Sequence, residues 1–237
     1  MKKVFIVLIL MVLSFASYAQ NNFKETFNSD LSIYKKFSIG TDFTYDFWLD
    51  QPSEMGNKTR FNRSSSFFAT YNIRIKNSPF YFCPGLGMNF RNIYSSAFPQ
   101  QDSITGIRYE PIPANVKYKK SKTTLSYIEL PLEMRYSYNR FQVGIGLKIS
   151  LNIGGTAKYK GNKFTTDDLI GDETGSLVKQ KWNAIPEREL WQFGAQLRIG
   201  YSWIHAYAYY GFSNVFKSKT NINMHPISVG ITIMPFR

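Results

Sequence analysis

Apolar and polar residues alternate along most of this chain. From Phe37 onward, Phe37, Ile39, Thr41, Phe43, Tyr45, Phe47 and Leu49 share one parity, and Ser38, Gly40, Asp42, Thr44 and Asp46 share the other. A period of two is the signature of an amphipathic strand. The same alternation predicts eight long strands, at about Ile33–Leu49, Ser65–Lys76, Phe80–Ile93, Tyr127–Tyr138, Phe141–Gly154, Leu190–Tyr201, Ile204–Val215 and Ile227–Met234. The seventh is ambiguous, because tyrosine occurs on both of its parities.

The connections alternate in length. Asn77-Ser78-Pro79, Asn139-Arg140 and Ser202-Trp203 are tight turns. Asp50–Ser64, Tyr94–Lys122, Lys158–Glu189 and Phe216–Met224 are longer and carry much of the chain's Asp, Lys, Pro, Asn and Ser. Loops of this length are unusual in a compact soluble domain. Short turns on one rim and long loops on the other are the pattern of an outer-membrane barrel.

Two architectures suit eight antiparallel amphipathic strands. A soluble lipocalin-like ligand-binding barrel turns its apolar face inward, and a membrane barrel turns it outward to lipid. Size separates them. The lumen of an eight-stranded barrel is just wide enough for side chains to fill. The apolar faces carry several Phe, Tyr, Leu or Ile per strand, too much volume for that lumen, whereas the opposite faces are rich in Gly and small polar residues. The expected fold is therefore all-β, an eight-stranded antiparallel up-and-down transmembrane β-barrel with short periplasmic turns and long extracellular loops. Aromatics near strand ends, such as Phe47 and Trp48, Phe80 and Tyr81, or Tyr201 and Trp203, suit interfacial belts.

With the apolar face outward, the charges on the other face acquire a place. Asp42, Asp46, Arg74, Lys76, Arg91, Glu129, Glu133, Arg135, Lys148 and Arg198 are expected to face the lumen, with both signs mixed. In a narrow, low-dielectric interior they must pair or hydrogen-bond. A structural salt-bridge plug accounts for them, and a conduction path or small binding site is the alternative.

The ends set the compartment. Lys2 and Lys3, the apolar run Val4–Leu13 and the small residues of Ser17-Tyr18-Ala19 read as a signal peptide over residues 1–19, cut after Ala19. Residues 20–237 then form one barrel domain in the outer membrane. The formal charge is +13, and removing Lys2 and Lys3 leaves +11. A basic exported chain suits anionic outer-membrane lipid and lipopolysaccharide. Export and scattered cations argue against nucleic acid. One cysteine, Cys83, rules out an internal disulfide, and it is expected to face the lumen.

Sites of chemistry are sparse. His205 and His225 are the two histidines, and neither has metal-ligand spacing. Asp167, Asp168, Asp172 and Glu173 gather between Thr165 and Glu173 without the regular oxygen spacing of a calcium loop. No phosphate-binding glycine loop is present. No cofactor, no metal and no enzymatic activity are expected. A small lipid- or peptide-modifying enzyme is the alternative, and His225, nearer the outer rim, would be its better candidate.

"YIELPLEMRY", "FQVGIGLKISLNIGG", "WQFGAQLRIGY", "AYYGFSNVF" and "ISVGITIMPF" together resemble the PorT-like outer-membrane β-barrel family of Gram-negative bacteria. The resemblance covers nearly all of the chain after the signal segment. It implies a non-enzymatic barrel with an envelope-structural, secretion-accessory or loop-mediated binding role. It also implies insertion by barrel-assembly machinery, which reads a terminal aromatic; here Arg237 follows Phe236.

Overall fold

The computed structural model describes residues 36–56, 62–100, 103–162, 177–183 and 185–236. The expected signal segment and the acidic stretch Thr165–Glu173 lie outside these residues. Twelve strands are described: β1 (Phe37–Leu49), β2 (Arg63–Tyr71), β3 (Ile73–Arg74), β4 (Phe80–Tyr94), β5 (Ala97–Gln100), β6 (Arg108–Pro111), β7 (Tyr118–Tyr138), β8 (Phe141–Asn162), β9 (Leu177–Asn183), β10 (Trp191–Tyr201), β11 (Ile204–Gly211) and β12 (His225–Phe236). Among the described residues, no helix is long and apolar enough to cross a membrane.

Eight strands form a ring. Antiparallel pairing passes from β1 through β2, β4, β7, β8, β10, β11 and β12 and returns to β1. Every second pair of neighbours, β2–β4, β7–β8 and β10–β11, is joined by a tight turn at one rim. Asn139 and Ser202 take left-handed backbone angles there, φ 53° and 55°, a region that short polar side chains tolerate at tight turns.

The alternation decides what each face meets. In β1, Phe37, Ile39, Phe43 and Phe47 are exposed, while Ser38, Asp42 and Asp46 are buried. In β10, Trp191, Phe193, Leu197 and Ile199 are exposed, and Gln192, Gln196 and Arg198 are buried. Leu86 on β4 and Ile145 on β8 are each 63% exposed. The ring wears its apolar residues outside and its polar residues inside, which suits strands crossing lipid. The ambiguous seventh strand resolves the same way: Tyr207 and Tyr209 of β11 point in, and Tyr210 points out.

Two strands rise well past this belt. β7 has 21 residues and β8 has 22, about twice what a tilted crossing needs. The strands run beyond their expected bounds, and the connections Tyr94–Lys122 and Lys158–Glu189 are partly strand. Between Ser126 and Tyr127 the β7–β8 register slips: Tyr127 faces Asn152, Ser126 faces Gly154, and Ile153 has no partner. This β-bulge reverses the parity of β8. Lys148, Ser150 and Asn152 point inward below it, and Gly155, Ala157, Tyr159 and Gly161 point inward above it. There β8 also exchanges partners. Its lower part pairs with β10 up to Leu151, and its upper part pairs with β9 from Thr156.

Above the bulge the interior is apolar. Ile93, Leu125, Tyr127, Ala157 and Tyr159 from the strand extensions meet Ala97, Phe98 and Tyr109 of the β5–β6 hairpin. Met55, Ile107, Ile185, Phe216 and Met224 from the connections complete this core. Trp48 also packs into it, 7% exposed. The expected place of Trp48 in an interfacial belt is thereby corrected: it has the inward parity of Asp42 and Asp46.

Candidate functional site

The polar interior holds two clusters of charge, stacked along the ring. The lower one centres on Glu133 of β7. Its Oε2 accepts from Arg198 Nη1 of β10 at 2.5 Å, and its Oε1 accepts from Arg135 Nε at 2.9 Å. Arg198 reaches across to β1, where Nη2 donates to Asp42 Oδ2 at 3.0 Å. Asp42 also accepts from Ser66 Oγ of β2 at 2.7 Å and from Thr232 Oγ1 of β12 at 2.6 Å. Arg198 Nε in turn donates to Thr232 Oγ1 at 3.2 Å. Arg135 Nη1 donates to Ser38 Oγ and Asn72 Oδ1, at 3.1 and 3.2 Å. Two cations and two anions are thus joined with few groups left to be solvated.

The upper cluster centres on Glu129. Lys148 Nζ of β8 lies 2.9 Å from Glu129 Oε2 and donates to Tyr207 OH of β11 at 2.9 Å. Glu129 Oε1 accepts from Asn89 Nδ2 of β4 at 2.8 Å, with Arg91 Nη2 at 3.9 Å. Asp46 accepts from Ser64 Oγ and from Thr44 Oγ1. Aromatic faces complete the lining. The Arg198 guanidinium lies 4.3 Å from the Phe68 ring, and that of Arg91 lies 4.5 Å from the Tyr209 ring. Such stacking suits desolvated guanidinium groups. All eight ring strands contribute a side chain to one cluster or the other.

Glycine makes room for this. A Cβ at Gly144 would stand 2.4 Å from Glu133 Oε1. The ceiling is Arg188, which donates to Asn152 Oδ1 and to the Ile185 carbonyl, each at 2.6 Å. It separates the charged interior from the apolar core above.

Eight of the ten sequence-predicted lumen charges come together here: Asp42, Asp46, Arg91, Glu129, Glu133, Arg135, Lys148 and Arg198, each 3% exposed or less. Arg74 and Lys76 do not, which is a correction. The strand carries on past Tyr71 without a change of register. Asn72 N–H donates to the Lys36 carbonyl at 2.5 Å as the next rung on β1, and β3 pairs Ile73 with Phe82 and Arg74 with Tyr81 of β4. Arg74 keeps the inward parity but lies beyond the polar interior, where the strand reaches the turn. Arg74 then lies at the exposed rim, its Nε donating to Ser78 O at 3.0 Å, and Lys76 takes a turn conformation with φ 49°. Asn89, Gln196 and Thr232 share the charges' parity, so alternation could have found them as partners. Phe68, Tyr207 and Tyr209 carry no such signal, because large rings occur on both faces.

The remaining candidates stand apart. Cys83 is buried opposite Glu133. His205 is buried near the turn rim, Nε2 3.2 Å from Gln142 Oε1. His225 opens β12 beside Leu49, at the opposite rim. Among the described residues, no three His, Cys, Asp or Glu side chains gather as a metal site needs.

A ring with lipid-compatible walls and an ion-paired interior defines a membrane-spanning strand barrel. The chain belongs to the family described as outer membrane protein beta-barrel domain, whose model matches residues 17–217. Among solved structures it is similar to Ail, the attachment invasion locus protein of Yersinia pestis, determined in complex with the heparin analogue sucrose octasulfate. That likeness has 10% identity and a TM-score of 0.37, and it covers 84% of this chain and 97% of that one. A search of curated proteins finds no match.

Proposed function

We propose that the chain is a closed, non-enzymatic eight-stranded barrel of the PorT-like kind, with its turns in the periplasm and its apolar-cored cap outside the cell. In this reading the two charge clusters plug the lumen. The barrel is a pedestal, and the cap presents a surface for secretion, adhesion or envelope binding. Barrel-assembly machinery inserts the chain, and lipopolysaccharide surrounds it.

The observation that carries the reading is the pairing of Arg198, Arg135 and Lys148 with Asp42, Glu133 and Glu129. A conducting or substrate-binding lumen needs cations and anions free to meet a solute. Here Arg198 spends its donors on Asp42, Glu133 and Thr232, and Lys148 is held by Glu129 and Tyr207. The two histidines stand at opposite rims, which supports a role without acid–base chemistry. Purified chain in planar bilayers is expected to give no conductance steps, and steady wild-type conductance would overturn the plug. His225→Ala is expected to leave the envelope lipid profile unchanged, and a changed profile would overturn the non-enzymatic reading.

A further inference from the structure

Above the bulge, the outer wall of β7, β8 and β9 carries lysines in two cross-strand rows. Lys120 of β7 is opposite Lys160 of β8, which is opposite Lys179 of β9. Lys122 is opposite Lys158, which is opposite Lys181. Residues directly opposite share a face, so all six point the same way. With strands about 4.8 Å apart and same-face neighbours about 7 Å apart, six ammonium groups occupy a patch roughly 10 Å by 7 Å.

That arrangement costs stability, since like charges directly opposite repel. Among the described residues no ion pair reaches any of the six. Their described partners are neutral. Lys122 Nζ donates to Asn92 Oδ1 at 2.6 Å, and the Tyr94 ring lies 5.7 Å from Lys120 Nζ and 5.8 Å from Lys122 Nζ. Burial, then the charges of Lys120 and Lys158, pulls the Lys122 ammonium down to about 8. A patch that repels itself is one that an anion stabilises.

Parity says where the anion comes from. Lys120 and Lys122 share the parity of Ile128, Leu130 and Met134, which face outward in the belt. The lysines therefore face sideways along the membrane plane, just beyond the apolar belt, rather than up into the medium. We propose that the six-lysine face of β7, β8 and β9 binds the phosphate groups of outer-leaflet glycolipid packed against the barrel wall. This rests on the proposed orientation with the cap outside the cell.

The test uses the full chain in detergent with purified lipopolysaccharide as probe, its dephosphorylated form as control and heparin as a soluble polyanion. Lys158→Gln, Lys160→Gln and Lys181→Gln are combined, since none of the three contributes to the apolar core. Affinity for the phosphorylated glycolipid is expected to fall roughly fivefold for each lysine neutralised. The corresponding triple Arg variant is expected to retain it. Thermal stability without ligand is expected to rise in the Gln variant as repulsion is relieved, so binding and stability move in opposite directions.

Equal binding of the dephosphorylated form, or unchanged binding by the Gln variant, overturns the proposal. Tighter binding of heparin than of glycolipid reassigns the face to a soluble polyanion and overturns it too. Binding gained only when Asp167, Asp168, Asp172 and Glu173 are neutralised makes the face an intrachain contact, with the same consequence. An unboiled gel separates this from failure of the barrel itself. A heat-modifiable chain that ignores phosphate sinks the lysine face alone. A chain that shows no heat-modifiable band sinks the barrel reading.

Discussion

The belt and the cap share strands β7 and β8 and use them in opposite senses. Below the bulge, apolar side chains face out and Glu129, Glu133, Arg135 and Lys148 face in. Above it, lysines face out, and Leu125, Ala157 and Tyr159 face in. The solvent outside each half explains the reversal. In lipid there is no hydrophobic gain from burying Leu against Leu, so the inside is specified by ion pairs and hydrogen bonds. In water the usual gain returns, on the order of 1.5–3 kcal/mol for each large apolar side chain buried. One chain therefore folds by two different driving forces, divided at a single register slip.

Four measurements would break or sharpen that contrast. The largest effect is expected in the lower interior. Arg198→Ala leaves Asp42 and Glu133 buried without their shared cation, and it should cost about 3–5 kcal/mol in urea unfolding from lipid vesicles. A loss below about 1 kcal/mol would mean that the lumen is wetter than its geometry implies. Leu125→Ala, at the floor of the apolar core, should cost about 2–5 kcal/mol. That loss should be local, with the cap becoming protease-sensitive while the heat-modifiable band persists. Global unfolding by this variant would show that the two halves are one cooperative unit.

The outer wall supplies the third test. Leu86→Arg, within the belt, should cost about 2–4 kcal/mol if that position sits near the bilayer centre. The exposed Lys158→Leu above the belt should stay within about 0.5 kcal/mol. Equal costs would erase the boundary between lipid and water on this face.

The smallest effect is a pH dependence at Lys122. Tyr94 from β4, Lys120 on its own strand and Lys158 from β8 face it. Its folded value of about 8 lies below the ordinary 10.5, so between those values the unfolded chain binds more protons than the folded one. Cap stability should therefore rise with pH across that window, and Lys122→Gln should flatten the slope.

Much of the lower half was legible because the period of two is strict there. Alternation placed eight of the lumen charges, and the volume of the apolar face pointed outward. Arg74 and Lys76 escape this reading because parity tells which way a side chain points but not how far along the barrel it sits: Arg74 lies at the turn rim, and Lys76 is already in the turn. The cap was not legible. Its core draws on Met55, Ile107, Ile185, Phe216 and Met224, scattered through connections with no period at all. Phe68 and Trp48 sit inward beside outward aromatics, where size and hydrophobicity alone cannot assign a face. The reversal along β8 was hidden because "NIGGTAKYKG" gives no cue that one residue is skipped.

That skipped residue acts on β8 as a frameshift acts on a message. Everything after Ile153 is read in the other phase, so removing Gly154 would swap the two readings of the tail. Lys158 and Lys160 would turn toward Leu125 and Phe98, and Ala157 and Tyr159 would turn into water. A single deletion would thus exchange the inside and the outside of the whole upper part of β8.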